Sequence, residues 1–134
     1  MPGPAPNKFA RRRNARPDWV QLPSSGYDGP VPDWPLGSPE PLGWAEIWGK
    51  PQAVMWARND DVLLVARYAR LRDLIQDPES VKDVNAAALS ELRQIEDRLG
   101  LSPMALKRLQ WEIEEAPAVD RLAEVTSIDR YANL

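Results

Sequence analysis

Cysteine and histidine are both absent from this sequence of 134 residues. Without cysteine the chain cannot form a disulfide, a thiolate metal site or a cysteine nucleophile. Without histidine it lacks the commonest general base, the usual pH switch and the most frequent zinc ligand. These two absences remove most of the side chains on which hydrolases and zinc proteins depend.

Other features that catalysis requires are missing as well. The seven glycines never fall into the spacing of a phosphate-binding loop. Dense carboxylates occur as Asp60 with Asp61, and as Glu112 with Glu114 and Glu115. The first pair is placed where a helix start favours acidic residues, and the second has no histidine partner. We therefore predict that the chain is not an enzyme and has no catalytic residue, no cofactor and no metal site.

Long apolar runs are absent too. Val62–Ala66 is continuously apolar over five residues, whereas a membrane helix needs about 20. The arginines near the N-terminus are not followed by a hydrophobic stretch, so they do not form a secretory signal. We expect a cytosolic location and no membrane contact.

Charge is divided very unevenly along the chain. Residues 1–17 hold five basic residues and no acidic one, whereas residues 18–134 hold 12 basic and 20 acidic residues. The net charge of −3 therefore combines +5 on the first segment with −8 on the remainder. Arginines in a flexible segment contact phosphates by charge and by bidentate hydrogen bonds. This division favours a nucleic-acid-binding arm over a merely solvated charge run, with Lys8, Arg11, Arg12, Arg13 and Arg16 as candidate contacts.

Proline is concentrated in the same part of the chain, since ten of the 14 prolines lie in residues 1–41. Proline has no N–H for helix or sheet hydrogen bonds. We therefore predict that residues 1–38 form an extended, largely disordered arm. Trp19 and Trp34 are unexpected in a linker, and one of them is expected to dock on a neighbouring subunit, on a partner or on its own domain.

Residues 39–116 are predicted to form a helical oligomerisation core. Trp44, Ile47 and Trp48 have the spacing of a short helix that begins near Ser38 and ends before Pro51. One or two further turns are expected at residues 53–56. The tryptophans are interpreted as core residues rather than as a stacking platform for bases.

A longer helix is predicted next, with Asn59 as its N-cap and an end at Asp77, which precedes a proline. Its first turn contains two aspartates, which the helix dipole favours. Its expected buried face consists of Leu64, Tyr68, Leu71 and Ile75.

The centre of the predicted core is a turn between two helices. Gly100 offers the left-handed conformation that ends a helix, and Ser102 with Pro103 has the form of an N-cap and first helical residue. The second helix is expected to carry its apolar stripe to Ile113 and to end at Pro117. The result is an all-α chain built on a helical hairpin, with a helix-turn-helix as the less favoured interpretation. The first helix spans roughly residues 81–99 and carries the apolar stripe Val84, Ala88, Leu92, Ile95 and Leu99.

The helix after Ser102 also offers two basic residues, Lys107 and Arg108. In a helix-turn-helix these side chains would face a DNA groove. The three glutamates that follow within two turns would be repelled by phosphate, so groove reading by this helix is the weaker interpretation.

The last segment, residues 117–134, begins at a helix stop, Pro117. Its apolar residues recur every three positions, which indicates a weak amphipathic helix. A helix this short is marginal in water unless it packs on something. The alternatives are its own hairpin, an adjacent subunit or a partner groove. The candidate partner-binding residues are Leu122, Val125, Ile128 and Tyr131.

Several stretches of the sequence resemble the small terminase subunit of tailed double-stranded-DNA bacteriophages. They are Glu96–Met104 and Leu109–Ile113, the opening Met1–Pro6 with its arginine cluster at Arg11–Arg13, and the tryptophans set before a long helix. The resemblance covers most of the chain, and none of its motifs is catalytic.

The resemblance implies a phage DNA-packaging protein in the host cytoplasm. Such subunits assemble into rings, bind viral double-stranded DNA, and regulate or recruit the large terminase subunit, which supplies the ATPase and nuclease. A ring of more than four chains also agrees with the three tryptophans, whose apolar area exceeds what one hairpin can cover. The alternatives are a helix-turn-helix transcriptional regulator and a phage structural adaptor protein.

Overall fold

The computed structural model describes residues 16–115, about half of which are helical. The described elements are β1 (Val20–Leu22), α1 (Trp44–Trp48), α2 (Ala53–Arg58), α3 (Val62–Gln76), a 3₁₀ turn (Val81–Asp83), α4 (Ala86–Arg98), α5 (Pro103–Leu109) and β2 (Trp111–Ile113). The all-α prediction therefore holds for the helices and misses a two-stranded sheet. No helix within these residues is long and apolar enough to cross a membrane.

Tryptophans form the centre of the core, as predicted, but a single chain buries them, so the expectation that their apolar area exceeds what one chain can cover is wrong. Trp44, Trp48 and Trp56 are each at most 2% exposed. Trp44 meets Trp48 at 5.9 Å between ring centroids, and Trp48 meets Trp56 at 5.6 Å, both edge to face. Edge-to-face contact places the positive rim of one ring against the negative face of the next. Trp34 extends the series, 4.9 Å from Trp44.

The segment before α1 corrects the prediction of a disordered arm up to residue 38. Leu22 is fully buried, and Trp34 packs on its own domain. Proline lacks an N–H but keeps its carbonyl, and the indole N–H of Trp44 donates to Pro32 O at 2.7 Å. The indole N–H of Trp34 donates to Ser38 O at 2.7 Å. Side-chain donors thus fix the extended chain between β1 and α1, which belongs to no helix or strand.

Helix starts in the first half of the core differ from those predicted. α1 begins at Trp44 rather than near Ser38. Asn59 ends α2 instead of capping α3, and Asp61 is the residue that precedes α3. Asp60 between them adopts a left-handed conformation, with φ 55°. This residue turns the chain sharply, so α3 starts later than the capping pattern indicated.

The buried face of α3 consists of Val65, Ala66 and Ala69. The larger residues predicted for this face are only half-buried; they are Leu64, Tyr68, Leu71 and Ile75. Small side chains at the centre allow close approach of a neighbouring element, and α3 packs against α4. The prediction located the helix correctly but placed its innermost stripe wrongly.

α4 begins later than the predicted residue 81. Asn85 caps it, because its Oδ1 accepts from Ala88 N at 2.8 Å. The 3₁₀ turn occupies the residues before the cap. Ile95 and Leu99 are buried, whereas the earlier members of the predicted stripe, Val84, Ala88 and Leu92, are half-buried.

The turn between α4 and α5 has the predicted chemistry. Gly100 is left-handed, with φ 71°, and Leu101 N donates to Glu96 O at 3.0 Å. This hydrogen bond and the left-handed glycine form a Schellman-type helix end. The Ser102 hydroxyl accepts from Ala105 N at 3.1 Å and so caps α5.

Two side chains, one on α2 and one just before it, donate hydrogen bonds to the carbonyls of this turn. The indole N–H of Trp56 donates to Leu99 O at 2.9 Å, and the Gln52 side-chain amide donates to Gly100 O at 3.0 Å. Carbonyls at a helix end have no partner within the helix. Gln52 is 8% exposed, and its position in the core is explained by this hydrogen bond.

α5 stops at Leu109, so the predicted helix, with its stripe up to Ile113 and its end at Pro117, is too long. Gln110 adopts a left-handed conformation, with φ 61°, and Trp111–Ile113 continue as a strand. Trp111 is 6% exposed and lies against Gly100, where an added Cβ would be 2.6 Å from its Cζ3. Burial of this large ring turns the chain away from helical continuation.

Candidate nucleic-acid interface

The site begins with the two short strands. β1 and β2 pair in parallel, with Val20 opposite Trp111 and Leu22 opposite Ile113. Val20 N donates to Gln110 O at 2.9 Å, and Glu114 N donates to Leu22 O at 2.8 Å. This pairing joins the first described residues to the last ones.

An open groove of about 450 Å³ lies where these segments meet α5. Its apolar surface comes from aromatic and aliphatic side chains, and its polar surface includes two cations and one carboxylate. The lining residues are Arg16, Trp19, Pro103, Leu106, Lys107, Trp111, Glu112 and Ile113. We call this surface the terminal groove, because both ends of the described chain lie at it.

Glu112 ties the N-terminal side of the groove to β2. Its Oε2 accepts from the Gln21 side-chain amide at 2.9 Å and lies 3.3 Å from the backbone N of Arg16, which donates to it. Hydrogen bonds to a carboxylate stabilise its charged form. The carboxylate therefore fixes the backbone of Arg16 beside β2.

Arg16 itself stacks on an aromatic ring. Its Cζ lies 4.1 Å from the Trp19 ring centroid. A guanidinium over an indole is attracted by the negative ring face, and its N–H groups still point outward. Arg16 is exposed, so these donors remain accessible to a phosphate.

The last turn of α5 provides the second cationic position. Lys107 and Arg108 are both exposed there, and only Lys107 lines the terminal groove. A cation in the last turn of a helix interacts favourably with the helix dipole. The Ser102 cap and the turn at Gly100 fix where this short helix points.

A match over the whole sequence identifies the family. A family model described as phage terminase small subunit matches residues 1–134. The chain belongs to the phage terminase small subunit family. No curated protein and no solved structure matches it. The resemblance noted in the sequence is thereby confirmed, and membership supports a role in phage DNA packaging.

In this terminase small subunit, the structure brings together two of the candidate DNA contacts, Arg16 and Lys107. Arg108 lies on the same helical turn but outside the groove. The other candidates fall outside the described residues. They are Lys8, Arg11, Arg12 and Arg13 in the arm and Leu122, Val125, Ile128 and Tyr131 in the tail.

Trp19, Trp111 and Glu112 were not predicted as members of this site. A weak signal existed for the strands, because Val20–Leu22 and Trp111–Ile113 both alternate apolar, polar, apolar. Three residues are too few to separate a strand from a helix by period. The groove depends on a pairing between segments about 90 residues apart, as the Gln21–Glu112 contact shows.

The clustered carboxylates form no metal site, and two of them, Asp60 and Asp61, belong to a turn in the described part of the chain. Within residues 16–115 no group of three His, Cys, Asp or Glu side chains could hold a metal ion. Partial burial, and secondarily the charge of Asp60, raise the pKa of Asp61 above its usual value. Both aspartates lie in the turn before α3, away from the residues that line the terminal groove.

Proposed function

We propose that this chain binds viral double-stranded DNA through its basic arm and the exposed cations of α5, and that it recruits and regulates the large terminase subunit. The observation that carries the proposal is the convergence of Arg16 and Lys107 on one groove. It occurs where the segment with a charge of +5 joins a body of opposite charge. Family membership supports a role in phage DNA packaging, and the host cytoplasm as its location is part of the proposal.

The arrangement favours phosphate contact over reading of base edges. α5 has only seven residues, and Glu112 follows it within one turn's length. A carboxylate near the groove repels DNA phosphates, so net attraction depends on the arm. Lys8, Arg11, Arg12, Arg13 and Arg16 together give a slope of log affinity against log salt of about −4 to −5.

Lys107 and Arg108 add to this attraction if the duplex lies along the terminal groove. Each further phosphate contact makes the slope steeper by about 1. Contacts of this kind hold DNA firmly without specifying its sequence.

We assign the contact with the large subunit to the tail, at Leu122, Val125, Ile128 and Tyr131. An amphipathic segment laid into an apolar groove of a partner is a common mode of recognition. The family's role in packaging supports a large-subunit partner, and the apolar spacing of the tail supports this mode of contact.

Assembly into a ring of more than four chains is part of the proposal. Large apolar side chains are at least half exposed at Leu42, Leu63, Leu89 and Met104. Head-to-tail contacts between copies would cover these side chains, and a closed rotation makes such contacts into a ring. Native mass spectrometry of the full chain tests this; a monomer at micromolar concentration would contradict it.

DNA affinity measured by fluorescence anisotropy at several salt concentrations tests the DNA contact. We expect the combined change of Arg11, Arg12, Arg13 and Arg16 to Ala to weaken binding strongly and to make the salt slope shallower by about 4.

The matched control changes four exposed arginines elsewhere to Ala, and we expect it to shift the slope by less than about 1. These are Arg67, Arg70, Arg93 and Arg98. Equal effects of the two quadruple variants would show that only total charge matters. No DNA binding by the unaltered chain would favour the structural adaptor instead.

A further inference from the structure

We propose that residues 117–134 dock in the terminal groove of their own chain and cover Arg16 and Lys107. The groove, and the tail that follows β2 in the sequence, support the docking. Its consequence for DNA rests on the function proposed above.

The groove runs along a free strand edge. All three residues of β2 line it, whereas the face of a strand would present only alternate residues. Gln110 O and Glu114 N form hydrogen bonds with β1. The backbone N–H and C=O groups of the even-numbered residues in 110–114 therefore face β1. Trp111 and Ile113 therefore direct theirs to the opposite edge, where the described sheet has no further strand. Such an edge is a docking place for another segment.

Two segments leave the body at this groove, the basic arm at Arg16 and the tail after β2, and only the tail carries acidic residues that can complement the two cations lining the groove. Ile113 lines the groove, and only residues 114–116 separate it from Pro117. Three residues span at most about 11 Å. A segment tethered this closely is present at an effective concentration of the order of millimolar, so it reaches its own groove before a second copy does.

The chemistry of the tail fits the groove. Val119, Leu122, Val125 and Ile128 offer apolar side chains to an apolar surface that includes Trp19 and Leu106. Residues 117–134 hold three acidic and two basic residues, a net charge of −1. Two cations, Arg16 and Lys107, line the groove. The apolar side chains of the tail therefore match the apolar surface, and its three carboxylates offer partners to the two cations.

The consequence is competition between the tail and DNA. A docked tail covers two of the proposed phosphate contacts and brings negative charge to the point where the basic arm joins the body. Capture of the tail by the large subunit would expose these contacts and strengthen DNA binding, a coupling that is reciprocal by thermodynamic necessity.

Disulfide trapping tests the docking without DNA. The chain contains no cysteine, so an introduced pair gives an unambiguous bond. Lys107→Cys is combined in turn with Val119→Cys, Leu122→Cys and Val125→Cys in the full chain. We expect at least one pair to form an intramolecular disulfide at least about tenfold faster than the matched pair built on Arg108→Cys, because of local proximity.

Equal rates for the Lys107→Cys and Arg108→Cys series would overturn the proposal, and so would disulfide bonds formed only between chains.

A second experiment measures DNA binding directly. Changing Leu122, Val125 and Ile128 together to Ser should strengthen DNA binding and steepen its salt slope by about 2, the two uncovered cations. Formation of the disulfides without this gain in DNA affinity would support the docking and refute its effect on DNA binding. Absence of DNA binding by any variant would refute the proposed function alone.

Discussion

The change Gln52→Met tests the reasoning about the turn that positions α5. Gln52 is 8% exposed, and its amide donates to Gly100 O at 3.0 Å. Methionine has a similar length but no donor, so it leaves a buried carbonyl without a partner. That loss costs about 1–3 kcal/mol. For a body of this size 1 kcal/mol corresponds to a fall in Tm of about 4–8 °C.

Thermal and urea unfolding followed by circular dichroism would measure this loss. Gln76→Met is the matched control, because Gln76 is exposed at the end of α3 and should change stability by less than about 0.5 kcal/mol. Trp56→Phe, which removes the hydrogen bond to Leu99 O, should also destabilise the chain and should not add simply to Gln52→Met, because both act on one turn. Equal stability of Gln52→Met and Gln76→Met would refute the role given to this hydrogen bond.

Two further predictions concern backbone and charge. Gly100→Ala should destabilise the chain by more than about 2 kcal/mol in urea unfolding, because φ is 71° and the new Cβ would lie 2.6 Å from Trp111 Cζ3; an unchanged midpoint would contradict this. Asp61 holds its proton more tightly in the folded chain than in the unfolded one, so its ionisation lowers stability as the pH rises from 3.8 through the raised pKa. Asp60→Asn should therefore stabilise the chain at pH 7, by at most about 1 kcal/mol, and should give no gain below the unfolded pKa of Asp61. A gain that persists at that low pH would show that backbone preference at residue 60, rather than charge, is responsible.

Local signals predicted the centre of the fold well. Gly100, Ser102 and Pro103 each occupy the position that their backbone chemistry favours, and the tryptophans before α3 form the core. These features depend on neighbours within a few residues. A sequence pattern can therefore report them.

The strands and the terminal groove could not be predicted in the same way. Leu106, Leu109 and Ile113 keep a helical spacing, although the helix ends at Leu109 because Gln110 is left-handed. Trp111 then pairs opposite Val20, a contact that no local period encodes. Tertiary burial overrides local preference at such a point.

The same reason explains the incorrect arm boundary. Many prolines remove helix and sheet hydrogen bonds, which indicates disorder when the segment is considered alone. Here the indoles of Trp34 and Trp44 hydrogen-bond to carbonyls in this segment, and Leu22 is buried in the core. The pairing of β1 with β2, together with side chains on the extended segment and on α1, supplies the order of this segment.

Retention of the large terminase subunit on immobilised viral DNA tests the central claim most directly. The full chain should hold the large subunit on the DNA, and the variant with Arg11, Arg12, Arg13 and Arg16 changed to Ala should reduce retention to the level without small subunit. The control variant with four substituted arginines on the helical body should retain it normally. Equal retention by the full chain and by the arm variant would contradict the claim that this subunit links the large subunit to DNA through its basic arm.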